Sequence, residues 1–380
     1  MTLHIFHNGP VLTERGFEPD LGVVVEDGLI VELRRGALPP GRGGERIDLG
    51  GRHLAPGFID VQVNGGGGVL FNNAPTPEAI ATIGRAHRRF GTTGFLPTLI
   101  SDGRAVMRQA IEATRAAIAQ GVPGVLGIHL EGPFLAAERK GTHDAARFRV
   151  PDLDDAIETT ALDNGLTLVT LAPERVAPEV IGAMVARGAI VCAGHTAASF
   201  AQTRAGLDAG IRGFTHLFNA MTPMQGREPG VVGAALDDAD SWCGVIVDGA
   251  HVHPASLRVA LAAKPRGKLI LVTDAMPMVG ADDPSFQLYG ETITAVDGVV
   301  RNAAGALAGS ALDMASAVRN CVHLLGLPLD EACRMASQYP AQFLGIDHRC
   351  GRIAPGLRAD LVAFDHALRV QQAWIAGRAD

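Results

Sequence analysis

Four polar residues in this chain each close a short apolar run: Glu131 in GVLGIHLEGPF, His195 in AIVCAGHTAA, His216 in IRGFTHLFNA and Asp274 in KLILVTDAMP. Carboxylates and imidazoles are the side chains that ligate hard and borderline cations and carry protons. One Glu with two His is a ligand set for catalytic zinc that keeps a position open for water. Asp274 is then left as a proton carrier. Water acidified by such an ion gives its proton to a nearby carboxylate, which can hand it on to a leaving nitrogen. Weak ligation of the metal as a fourth ligand is the other role open to Asp274. A single strand-end histidine is more often structural than ligating. Glu131, however, has no partner nearby in sequence, and a buried carboxylate without one is costly. A divalent cation resolves that cost.

A second group of polar residues lies in Asp60-Val-Gln62-Val-Asn64. The period of two puts Gln62 and Asn64 on one side of a strand. Amides ligate zinc poorly, so these two are expected to line the site and bond water or substrate, with one metal ion and not two. Capping of the following NGGGG turn is the alternative for Asn64. That glycine run lacks the Lys-Ser/Thr of a phosphate cradle and reads as a tight loop.

Residues so far apart in sequence act together only if a fold gathers them. Leu269-Ile-Leu-Val-Thr273 lacks polar alternation, as strands of a parallel sheet covered on both faces do. Similar runs occur at 57–63, 94–99, 125–130, 166–171, 189–193, 213–217, 243–247 and 269–273. Helical periodicity falls between them at 77–90, 105–120, 177–187, 200–208 and 254–263, then at 311–325 and 329–344, with weaker signals at 155–165 and after His216. Eight strand–helix units predict an α/β fold, a closed (β/α)8 TIM-like barrel, in which the strand ends converge on one face where active sites form. An open doubly wound sheet is disfavoured because no GxGxxG follows a strand. Strand-like segments at both ends predict a small β-sandwich domain built from 1–54 and 351–380, flanking a catalytic barrel at 55–350. Residues 283–306 read as a hairpin inserted after the eighth strand.

The totals agree with one large domain plus a small one. Of 380 residues, 47% are hydrophobic and 19% charged, a globular composition. A formal net charge of −7 offers no basic field for nucleic acid, so an anionic substrate needs local counter-charges. No run approaches the ~18 apolar residues of a membrane span. The start, MTLHIFHNGPVLTERG, alternates like a strand and is not a signal peptide. Five cysteines, Cys192, Cys243, Cys321, Cys333 and Cys350, form no CxxC pair, which suits a reducing cytoplasm.

Three loop residues complete the set. His143 in ERKGTHD can polarise a carbonyl or bind hydroxyls. Arg227 in QGREPG and His251 in DGAHVHP are candidate anion ligands, the guanidinium because it forks onto phosphate or carboxylate oxygens.

Together these segments resemble a known family. PGFIDVQVNG, GTTGFLPTLIS, HLEGPF, KGTHD, AGHTAA, THLFNAM, DGAHVHP, LVTDAMP and LAGS occur in order from residue 56 to 310. They are similar to the N-acetylglucosamine-6-phosphate deacetylases of the amidohydrolase superfamily. The resemblance implies hydrolysis of the acetamide of N-acetyl-D-glucosamine 6-phosphate to D-glucosamine 6-phosphate and acetate, a step of amino-sugar catabolism. It implies metal ligands at Glu131, His195 and His216, the acid/base at Asp274, and carbonyl polarisation by His143. Substrate contacts fall on Thr142, the Asn219–Ala220 backbone, Arg227, His251 and Leu307. It also implies a homodimer in which Arg227 and His251 reach the neighbouring subunit's site. Many superfamily members carry His-x-His where this chain has Gln62-x-Asn64, so one divalent ion, zinc above others, is expected. The alternatives are an N-acetylgalactosamine-6-phosphate deacetylase, a cyclic amidase or deaminase, and a non-catalytic binding barrel.

Overall fold

The computed structural model describes residues 2–36 and 44–379. Eight parallel strands form one sheet in sequential order: β1 (Phe58–Val63), β2 (Thr92–Ile100), β3 (Gly127–Glu131), β4 (Leu166–Leu171), β5 (Ile190–Ala193), β6 (Gly213–Phe214), β7 (Trp242–Val245) and β8 (Leu269–Leu271). Every residue of β1, β2, β3, β5, β7 and β8 is buried, which is why the sequence pattern there is apolar without alternation. The sheet closes where β8 runs on beside β1. Val63 bridges Ala275, the Asp274 N–H donates to the Gln62 carbonyl at 3.0 Å, and Thr273 Oγ1 donates to Asp60 Oδ2 at 2.5 Å. This is the expected barrel.

The helices between the strands begin where their sequences cap them. Thr76 caps Pro77–Arg88, which has proline in its first turn, and Ser199 with Gln202 forms a reciprocal capping box on Phe200–Asp208, satisfying amides that have no partner inside a helix. Two expectations are corrected. The single helix expected at 329–344 is two, Leu329–Ala336 and Gln338–Leu344, broken at Ser337 (φ −136°, ψ −69°). Pro340 lacks an N–H and fits only a first helical turn, so a new helix has to start just before it. The insertion at 283–306 is a three-stranded meander, Ser285–Leu288, Glu291–Val296 and Val299–Arg301. Both of its turns, Tyr289-Gly290 and Asp297-Gly298, have two successive positive φ angles, the geometry of tight hairpins.

Strands from both chain ends share a sheet. His53–Pro56 pairs antiparallel with Leu361–Phe364, and a second sheet holds Leu3–His7, Leu21–Glu26, Leu29–Arg35 and Glu45–Asp48. Phe6, Val23, Ile30, Leu54, Leu361 and Trp374 belong to one apolar core here, with Phe6 edge-on to Trp374 at 5.0 Å. This is the sandwich expected from the two strand-rich termini. No helix among the described residues is long and apolar enough to cross a membrane.

Candidate metal and proton-transfer site

Glu131 ends β3. His195 and His216 follow β5 and β6 by two residues, and Asp274 follows β8 by three. All four are buried. The strands end early because the chain then turns sharply: His195, His216 and Asp274 have φ of +47°, +34° and +52°, a region that costs non-glycine residues on the order of 1–3 kcal/mol. Gly194 makes the first of these turns feasible, because a Cβ there would lie 2.6 Å from Thr170 Cγ2.

Candidate ligand atoms of Glu131, His195 and His216 lie within 4.8 Å of one another. Glu131 Oε1 is 3.1 Å from His195 Nε2 and 3.0 Å from His216 Nε2, and the two nitrogens are 3.1 Å apart. His195 Nδ1 lies 2.8 Å from the Arg139 carbonyl. A carbonyl only accepts, so Nδ1 carries the proton and the Nε2 lone pair faces the other ligands. Lone pairs of His195 and Glu131 therefore aim at one point, where only a proton or a cation can stand between them. Burial pushes Glu131 up, but its contacts with His195 and His216, which are hydrogen bonds with positive charge behind them once a proton stands between the atoms, override it and hold the carboxyl well below its usual range. Burial pulls His216 down, yet its hydrogen bond to Glu131 and that charge raise it above an ordinary histidine. One carboxylate and two imidazoles converging within 4.8 Å are a donor set that fits a divalent ion.

Asp274 stands beside this cluster. Its Oδ1 accepts from Asn64 Nδ2 at 2.6 Å and from Gln62 Nε2 at 3.2 Å. Burial, and then the negative charge of Glu131, push it up to about 6, which suits a group that takes and returns a proton near neutrality. Gln62 Nε2 also lies 3.1–3.2 Å from both Glu131 oxygens. Both amides lie beneath the cleft floor, fully buried, and spend their N–H groups on the two carboxylates; Asn64 does not cap its turn through its side chain.

His143 receives the Ser101 backbone N–H on Nδ1 at 3.3 Å, with the Ser101 hydroxyl 2.8 Å away. An accepting Nδ1 places the ring proton on Nε2. Burial, and then the nearby His195, pull its pKa well down. It is a neutral imidazole with one N–H to offer. Tyr289 of the inserted meander donates to the Ser101 carbonyl at 2.6 Å, so the insertion holds Ser101 in place.

These groups open onto a cleft of about 330 Å³ lined also by Thr142, Asn219, Ala220, His251 and Leu307, a volume at the lower end of small-molecule sites. Glu138, Arg139 and Met276 line it too, and no sequence signal pointed to them. The contribution of Arg139 to the metal cluster is a backbone carbonyl, which any residue supplies. His251 lines its own chain's cleft. Its Nδ1 is 2.6 Å from Asp248 Oδ2. Burial pushes Asp248 up, but the His251 hydrogen bond and charge bring it below the usual range, so the carboxylate accepts and orients the ring. Arg227 is exposed and does not line this cleft.

Comparison with known proteins agrees with this geometry. Residues 53–379 match the amidohydrolase family. The chain is 42% identical to an N-acetylgalactosamine-6-phosphate deacetylase of Shewanella sp. (strain ANA-3), over 97% of this chain and 93% of that one. It is 39% identical to the N-acetylglucosamine-6-phosphate deacetylase of Homo sapiens, over 88% and 84%. The crystal structure of N-acetylglucosamine-6-phosphate deacetylase from Pasteurella multocida superposes with a TM-score of 0.96 at 35% identity, covering 100% of this chain and 99% of that one. The chain belongs to the amidohydrolase family, among its amino-sugar-phosphate deacetylases.

Proposed function

We propose that this protein hydrolyses the acetamide of N-acetyl-D-glucosamine 6-phosphate to glucosamine 6-phosphate and acetate. The observation that carries the reading is the meeting of a Glu131–His195–His216 cluster, a raised Asp274 and a neutral His143 in one cleft. A divalent ion held by the three ligands, zinc in our reading, supplies Lewis acidity toward water and the acetyl carbonyl. Asp274 takes a proton from the attacking water. The His143 Nε2–H donates to the carbonyl oxygen as negative charge grows there. The water oxygen joins the acetyl carbon, the C–N bond breaks, and Asp274 returns its proton to the nitrogen, which leaves as an amine. Gln62 and Asn64 hold the two carboxylates in register. His251 and the Asn219–Ala220 segment receive the phosphate, Thr142 and Leu307 contact the sugar, and Arg227 and His251 reach the neighbouring subunit's site in a homodimer. We further take 1–54 with 351–380 as an accessory β domain on a barrel at 55–350. Five buried free cysteines support residence in a reducing cytoplasm.

The similarity to the Shewanella protein favours one second reading, N-acetylgalactosamine 6-phosphate, which differs at a single hydroxyl stereocentre. Acetate release by the metal-loaded protein decides between them. We expect a higher kcat/KM on the gluco than on the galacto substrate. The reverse order establishes the second reading, and no acetate from either sinks both.

Arg227→Ala tests the phosphate assignment. Loss of a charge-assisted contact of ~1.5–3 kcal/mol is expected to raise KM for the phosphorylated sugar by roughly tenfold or more. Turnover of unphosphorylated N-acetylglucosamine stays the same. Equal losses on both sugars count against the assignment.

A further inference from the structure

We infer that Glu174, outside the cleft, is a positioning residue that fixes the His195 turn and ties it to the substrate-binding turn at Asn219–Ala220. Glu174 sits in the short 3-10 turn Pro173–Arg175 that follows β4. β4 is a barrel strand that brings no side chain of its own to the metal cluster. Both oxygens of Glu174 are spent on the neighbouring turn: Oε2 accepts from the Thr196 hydroxyl at 2.6 Å, and Oε1 accepts from the Ala197 N–H at 2.6 Å. These are the two residues immediately after His195. A carboxylate accepting at such distances makes strong, charge-assisted bonds.

The turn it grips is one the chain does not hold by its own preference, because His195 lies at φ +47°. Thr196 is fully buried and passes the constraint on. Its N–H donates to the Ala220 carbonyl at 3.0 Å, it bridges Met221, and its hydroxyl oxygen accepts from the Ala198 N–H at 3.1 Å. Ala220 is itself at φ +50°. Thr222 Oγ1 donates to the Ala198 carbonyl at 2.6 Å, closing a second link between the same two turns. A strained ligand turn and a strained substrate turn thus share one set of hydrogen bonds, anchored on Glu174. Releasing the anchor lets His195 relax away from Glu131 and His216. Groups that orient a metal ligand in this indirect way are worth about 10–100-fold in metal affinity.

The inference rests on the metal-centre reading, and wild-type protein tests that reading separately. Stripped protein titrated with Zn²⁺ against a chromogenic chelator gives the dissociation constant; absence of wild-type binding refutes the metal centre itself. Given wild-type binding, Glu174→Ala is expected to weaken Zn²⁺ about tenfold or more and to raise KM for the sugar phosphate, with Glu174→Gln recovering part of both. Thr196→Val is expected to act in the same direction with a smaller effect, and the double variant to lose less than the sum, since both break one linkage. A merely structural Glu174 lowers the thermal midpoint of metal-free protein and leaves the Zn²⁺ constant within about twofold of wild type, well short of the expected loss. That result overturns the inference, as does additivity in the double variant. If Glu174→Ala does not fold, Thr196→Val decides on the same criterion.

Discussion

Asp274→Asn is expected to cut turnover by about 10²–10⁴-fold, the usual worth of a positioned acid/base, while metal content stays at the wild-type level. The substitution separates charge from structure. Asp274 lies at φ +52°, a conformation that asparagine tolerates as readily as aspartate. Its backbone is pinned on both sides, by donation to the Gln62 carbonyl at 3.0 Å and by acceptance from the Ser310 N–H at 2.8 Å. An asparagine side-chain oxygen can still accept from Asn64. The variant loses a proton carrier and little else. The pH profile gives a second, independent reading. The base form of Asp274 exists above its pKa, which burial and Glu131 raise to about 6, and a bound cation lowers it from there by favouring the ionised carboxylate. As pH falls through that value the group takes up a proton, so kcat/KM falls on the acid side with a midpoint at or below about 6. In the asparagine variant that acid limb is absent. Full activity, or an unchanged limb in the residual activity, removes Asp274 from the chemistry.

The barrel was legible because its strands are buried on both faces. A run such as Leu166–Leu171 matches its expected limits because it is apolar without alternation and bounded by turns on either side. Strand ends were less legible where function sets them. β6 stops at Phe214, three residues short of expectation, because the chain enters the left-handed turn that aims His216 at Glu131. The ligand set was readable as residue types at strand ends. The depth of Gln62 and Asn64 was not. Alternation tells which side of a strand a residue occupies, not whether it meets the cleft or the carboxylates below it. Ser101, the Arg139 carbonyl and Glu174 were invisible for a different reason. Ser101 acts through its backbone N–H and hydroxyl, Arg139 through its backbone carbonyl, and Glu174 on a turn distant in sequence; no spacing rule marks them. The reach of His251 toward a neighbouring subunit came from resemblance alone; what the fold adds is the DGAHVHP turn, in which Asp248 orients the ring.

Glu131→Gln is expected to weaken the Zn²⁺ constant by roughly a thousandfold, about 4 kcal/mol. Glu131 is the only anionic member of the cluster, and both imidazole Nε2 atoms meet its Oε1. A neutral amide in its place keeps the shape but removes the charge that offsets bringing a dication into a buried site. Thermal unfolding reads this directly. Wild-type protein at a free metal concentration about 1,000 times its dissociation constant gains about 4.1 kcal/mol over the stripped form. The variant at the same concentration gains under about 1 kcal/mol, and its midpoint barely moves with added Zn²⁺. The pH dependence of binding has a definite sign. In stripped wild-type protein the Glu131 hydrogen bond and charge raise His216 despite its burial, so below that raised pKa a cation has to displace a proton, and affinity falls as pH falls. Above it there is no competition. In the Glu131→Gln variant the main raising partner is gone, the charge of Asp274 is left to oppose burial, and the His216 proton is lost at lower pH. The residual weak binding of the variant then becomes less sensitive to pH near neutrality. Elemental analysis gives the count and chelator competition across pH gives the slope. A variant that keeps a stoichiometric ion with wild-type affinity removes Glu131 from the ligand set.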